Sequence, residues 1–130
     1  AGIGVPRLDE ALTAHRDARW IIEIKPGPAR LRAAEELCAE LRRQGMTMQV
    51  MVSSFDHPTI ATFRGACPEV ATGTSATEVR NFVIAARLGL SRFVRTPAVA
   101  MQIPREQSGL NLVHPRIIAA AHDRGIRVQI

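Results

Sequence analysis

WIIEIKPGP, residues 20–28, reads as one buried strand broken by a proline–glycine turn, and two charges inside it decide how the rest is read. Side chains alternate faces along a strand, so Ile22 and Ile24 share one face while Glu23 and Lys25 share the other. A carboxylate and an ammonium within a strand cost free energy unless each meets a partner, a metal or a ligand. An apolar back and a charged front suit a sheet that packs helices on one side and carries chemistry on the other.

Outward from this strand, helix and strand signals alternate. Pro6 to Arg16 reads as a helix with Leu8, Ala11 and Leu12 on one face. Pro28 stands where a first-turn proline belongs, and Leu31, Ala34, Leu37, Cys38 and Leu41 form an apolar stripe that stops at Gly45. MQVMVSSF (48–55) is a second strand, and Asp56 caps a helix carrying Ile60 and Phe63 that ends before Pro68. EVATGT (69–74) is a short third strand. Ser75 to Glu78 form a capping box, with Val79, Phe82, Val83, Ala86 and Leu90 following at helical spacing. AVAMQI (98–103) is a fourth strand. After the loop PREQSGLNLV (104–113), Pro115 opens a helix with Ile117, Ile118 and Ala121 that Gly125 stops, and RVQI (127–130) begins a fifth strand.

Strands about 25 to 30 residues apart with helices between them mark parallel βαβ units. A doubly wound sheet and a (β/α)8 barrel share this rhythm. Central strands of the former are apolar on both faces, whereas Glu23, Lys25, Gln49, Ser53, Thr72, Thr74 and Gln102 put polar groups into these strands or at their ends. No glycine-rich phosphate loop follows a strand. The expectation is an α/β fold, part of a TIM (β/α)8 barrel, forming one domain over residues 1–130, about half of the roughly 250 residues such a barrel needs.

With 46% hydrophobic and 22% charged residues, the composition is that of a folded domain rather than a disordered chain. No apolar run nears the roughly 20 residues of a spanning helix. The opening AGIGVPRLDE has no Met and reads as a cut end rather than a signal peptide. A net charge of +5 invites nucleic acid, but the arginines are scattered and aromatics amount to 4% with no Tyr, so no nucleic-acid partner is expected. Cys38 and Cys67 have no metal or redox spacing and read as two separate buried thiols, which points to a reducing, cytoplasmic setting.

VPRLDEAL before the first strand, IIEIK within it, VMVSSFD in the next and HPRIIAAAHDRGIRVQI at the end, in that order, resemble the glycerophosphodiester phosphodiesterase family. The resemblance implies the C-terminal half of a barrel, from the helix before the fourth strand into the eighth. The family's His-Arg-Gly, E-x-D and His-Asp strands, which bring its two catalytic histidines and two metal-binding acids, do not occur here. The resemblance therefore implies no catalytic residue within this chain. It does imply that Glu23 is a ligand of a divalent cation, Mg²⁺ or Ca²⁺, and that Lys25 contacts the substrate phosphate. Such a hard cation takes carboxylate oxygens, and a phosphodiester anion takes the metal plus a nearby cation. Phe55 resembles the family's apolar wall for the alcohol moiety, and Gln102 falls where the family often shows a polar residue beside the substrate. The bland alternatives are a salt bridge between Glu23 and Lys25, a core phenylalanine and a structural amide.

The activity so implied is metal-dependent hydrolysis of a glycerophosphodiester substrate to glycerol 3-phosphate and an alcohol. Its alternatives are a non-catalytic phosphate-binding half-barrel and a nucleic-acid-binding domain. Ser53 and Ser54 stand at a strand end where substrate contact and simple packing both suit small residues. Ser54 lacks the glycines of a nucleophile elbow. His15, His57, His114 and His122 match none of the family's catalytic histidines and read as structural. The loop at 104–113 is long for a βα connection and is expected at the rim of the site. A half-barrel also leaves two strand edges open, which implies self-association.

Overall fold

The computed structural model describes residues 4–104, 106–107 and 110–130. Its elements are α1 (Leu8–Ala14), β1 (Trp20–Glu23), α2 (Arg30–Gln44), β2 (Val50–Ser53), α3 (His57–Ala66), β3 (Ala71–Thr72), α4 (Ala76–Arg87), β4 (Ala100–Gln102), β5 (Glu106–Gln107), β6 (Leu110–Asn111), α5 (Pro115–His122) and β7 (Arg127–Gln129). A single 3₁₀ turn, Ser91–Phe93, follows α4.

The helix ends follow from local chemistry. The Asp56 carboxylate accepts from the Thr59 backbone N–H at 3.1 Å and so caps α3. At α4 the capping box forms in both directions: Ser75 N–H donates to Glu78 Oε2 at 2.8 Å and Glu78 N–H donates to Ser75 Oγ at 3.3 Å. Gly45 ends α2 in the left-handed region at φ 65°. That helix begins later than expected. The Arg30 N–H bonds back to Gly27 O at 3.2 Å, so Pro28 sits in the preceding turn rather than in the first helical turn.

β1, β2 and β3 pair in parallel, as do β4 and β7. A parallel bridge from Gly73 to Ala100, with Val99 N–H donating to Thr72 O at 2.9 Å, joins the two groups. The main sheet thus runs β1-β2-β3-β4-β7, every neighbour parallel and every strand in chain order. β5 and β6 form a small antiparallel hairpin within the 104–113 loop.

Trp20, Ile22 and Ile24 of the first strand region pack with Leu37, Leu41, Ile60 and Phe63. Met101, Ile103 and Val128 pack with Phe82, Val83 and Ile117. The helices therefore cover one face of the sheet, and by alternation Ile21, Glu23, Ser53, Gln102, Arg127 and Gln129 belong to the other.

The reading of Cys38 and Cys67 as separate thiols is corrected. They form a disulfide with Cα atoms 5.6 Å apart. The two lie 29 residues apart in sequence, but α2 and α3 pack side by side and bring the stripe residue Cys38 against the end of α3 at Cys67. The premise for a reducing compartment goes with the thiols. Among the described residues no helix is long and apolar enough to cross a membrane.

Candidate functional site

Glu23 stands at the C-terminal end of β1, in register with Ser53 of β2. One residue past its own end, β3 places Gly73 beside them, and Gly73 pairs with Ala100, which pairs with Arg127. Glu23, Ser53, Gly73, Ala100 and Arg127 thus form one row across the face turned away from the helices. The middle of that row is small: a Cβ on Gly73 would lie 3.2 Å from the Ser53 Cβ. Above it Gln102 pairs with Gln129, and the Gln102 Nε2 amide donates to Gln129 Oε1 at 3.2 Å.

The strand ends surround a cavity of about 450 Å³. Glu23, Gln102 and Gln129 supply its polar wall, and Phe55, Ile103, Pro104 and Ile130 the apolar one. Glu23, Phe55 and Gln102, picked from sequence, come together here. Phe55 is 49% exposed, so it is not a core phenylalanine. Lys25 joins through Glu23: its Nζ lies 2.8 Å from Glu23 Oε2, with the lysine side chain 74% exposed. The salt bridge weighed as an alternative is therefore formed, but it is solvated and of the kind worth less than about 1 kcal/mol. It uses one carboxylate oxygen. Among the described residues Glu23 Oε1 is buried with no hydrogen-bond partner, and so is Ser53 Oγ.

Ser54 has a different task. Its hydroxyl donates to Ile24 O at 2.8 Å, tying the end of β1 to the end of β2. At the rim beside Phe55, bonds from the Thr59 side chain and then from Arg30, whose Nε lies 2.9 Å away, hold the Asp56 carboxyl below the usual aspartate range. The histidines stay apart from the cavity lining. His57 Nδ1 lies 3.0 Å from Ser75 Oγ, His114 Nδ1 accepts from Arg116 N–H at 3.2 Å, and the His15 ring lies 6.2 Å from that of Trp20. The 104–113 loop reaches the cavity with Pro104, while Arg105, Ser108 and Gly109 lie outside the described residues.

The unpaired Glu23 Oε1 fits a divalent cation, with Glu23 as its carboxylate ligand and Ser53 the nearest hydroxyl in the row. A second group, Cys38, Cys67 and Glu69, brings metal-binding residue types together on the helix side. Its sulfurs are spent in the disulfide, and Arg42 holds Glu69 through two bonds of 2.6 and 3.0 Å. It offers no metal centre in this state.

Sequence reasoning missed Gln129 and the polar cluster on Arg64. Gln129 has the parity of Gln102 on a paired strand, which the short terminal RVQI run concealed. Arg64 donates to Thr72 Oγ1, to Gly73 O and to both Glu78 oxygens, and Thr96 Oγ1 donates to Glu78 Oε1 at 2.8 Å. The capping box pointed to Glu78 but not to its arginine.

No protein-family model matches the chain, and neither does any curated protein.

Proposed function

We propose that this chain is the C-terminal part of a TIM-barrel phosphodiesterase that uses Mg²⁺ or Ca²⁺ to hydrolyse glycerophosphodiesters to glycerol 3-phosphate and an alcohol. The observation that carries the reading is the convergence of Glu23, Phe55 and Gln102 on one cavity at the C-terminal ends of parallel strands, with Lys25 bound to Glu23. Barrel enzymes carry their sites at that end of the strands. Strands in chain order with helices on one face also suit an arc of a barrel better than a doubly wound sheet, whose order reverses at a switch point.

In this reading Glu23 holds the cation through Oε1, and Lys25 sets a positive charge beside the phosphate. When bound, the cation neutralises charge that develops on the phosphoryl oxygens. Phe55 and Ile130 exclude water from the alcohol side, and the Gln102 amide orients a substrate oxygen. The acid and base are the family's two histidines, outside this chain. Because no histidine lines the cavity among the described residues, a non-catalytic phosphate-binding half-barrel is the second reading.

An NMR titration of the chain with glycerophosphocholine in the presence of Ca²⁺ tests the site. Shifts should concentrate on Glu23, Phe55 and Gln102 and disappear in Lys25→Ala. Shifts elsewhere, or an indifferent Lys25→Ala, would reject the site. Release of glycerol 3-phosphate by the isolated chain would reject the assignment of catalysis to residues outside it.

A further inference from the structure

Three side-chain oxygens are buried without partners among the described residues: Glu23 Oε1, Ser53 Oγ and Thr74 Oγ1. The first two stand on neighbouring strands, with Glu23 in the cavity wall and Ser53 next to it in the row. Glu23 and Ser53 are cross-strand partners, and the small residues Gly73 and Ala100 continue their row. Ser53 is 2% exposed, and its Oγ and Glu23 Oε1 are both closed to solvent and unpaired among the described residues. Neighbouring Ser54 shows that a hydroxyl at this strand end readily finds a backbone carbonyl, 2.8 Å away at Ile24. Ser53 points to the other face and finds none. A buried hydroxyl left unpaired is a net cost to the fold. Such a cost beside a carboxylate of the cavity wall marks a group whose partner arrives with the ligand.

We infer that Ser53 is a second oxygen of the cation seat, donating a lone pair to the same divalent ion that Glu23 holds through Oε1. This rests on the proposed metal role of Glu23 and adds a residue to it. Hard divalent ions take hydroxyl as well as carboxylate oxygens, as the serine or threonine of the P-loop does for Mg²⁺. Lys25 occupies the other carboxylate oxygen, so the ion and the ammonium approach Glu23 from different sides. Gly73 has its part in this. Any side chain there would crowd the Ser53 Cβ at 3.2 Å.

The inference separates stability from binding in a way that a packing role does not. Ser53→Ala keeps the Cβ and removes an unpaired hydroxyl, so without metal it should melt about 3–5 °C above the parent chain. Its affinity for Mn²⁺, followed by the loss of the free-ion EPR signal, should fall about tenfold, and Ser53→Cys, similar in size but without a hard oxygen, should lose as much. Glu23→Gln should lose Mn²⁺ binding as well. A Ser53→Ala chain that melts at or below the parent, or either Ser53 variant binding Mn²⁺ as the parent does, would overturn the role of Ser53. Binding that depends on Glu23 alone would leave the Glu23 reading standing. A parent chain that takes up no Mn²⁺, or a Glu23→Gln chain that binds unchanged, would overturn both.

Discussion

Lys25 and Arg64 are both ion-paired to a glutamate, and exposure gives the two pairs opposite meanings. The Lys25–Glu23 bridge is open to water on the lysine side, so removing the ammonium costs the fold less than about 1 kcal/mol. Under the proposed function its value lies with the phosphate. In an enzyme that contains this sequence and the family's histidines, Lys25→Ala should lower phosphodiester turnover two to three orders of magnitude, roughly 3–4 kcal/mol, with an unchanged melting curve. Turnover within a few-fold of the parent would make Lys25 a surface residue. Arg64 and Glu78 are 15% and 14% exposed, and Arg64→Leu leaves a carboxylate buried with its charge unanswered. Denaturant unfolding of that variant should show a loss of about 3 kcal/mol. Glu78 also carries a pH signature. Burial works to raise its pKa, but bonds from Arg64, the Ser75 N–H and Thr96 outweigh burial and hold it below the ordinary glutamate range. Folding therefore favours the ionised form. The stabilisation is complete above the ordinary glutamate pKa of about 4.3 and is lost as pH falls through the lowered folded value. Unfolding measured from neutral pH down to strong acid should show this loss in the parent and a smaller one in Glu78→Gln.

Elements were far more legible than the contacts between them. Period and punctuation located each main-sheet strand and each helix, because β-branched runs, Asp56, the Ser75–Glu78 box and Gly45 act within a few residues. Alternation along IIEIK likewise places Glu23 and Lys25 on one face, where their ion pair forms. The disulfide was not legible, since it depends on α2 and α3 lying side by side, and no spacing rule connects residues 38 and 67. The β5–β6 hairpin escaped notice for a related reason: strands of two residues have no period to read. The bond between α2 and the end of α3 has its own consequence. Closing a chain across a sequence separation of 29 removes unfolded-state entropy worth about 3–4 kcal/mol. The Cys38→Ala, Cys67→Ala double variant should lose stability of that order, and reductant should lower the melting temperature of the parent but not that of the variant. Equal melting of the two chains, or two titratable thiols in the unreduced unfolded parent, would exclude the bridge.

The whole molecule presents a sheet with two sides of unequal finish. Helices cover one face completely enough that Leu12, Val52, Phe63 and Met101 are each 0% exposed. On or beside the other, Ile21 is 53%, Phe55 49% and Ile130 71% exposed, and β1 and β7 are the edge strands of the described sheet. Parallel edges with free backbone groups and apolar neighbours invite another strand. The row across this face ends in Glu23 at the β1 edge and in Arg127 at the β7 edge. A second copy that adds its β1 in parallel to β7 would bring its carboxylate towards that guanidinium. Repeating the contact about a two-fold axis along the strands would close both edges at once. The purified chain is therefore expected to associate, with a sedimentation coefficient that rises with concentration. Arg127→Glu should weaken association by setting like charges at the junction, and adding Glu23→Arg should restore it. A monodisperse monomer at all concentrations would mean that the open face is stable in water as it stands. Association indifferent to both charge changes would mean that contact runs through the apolar face rather than through paired edges.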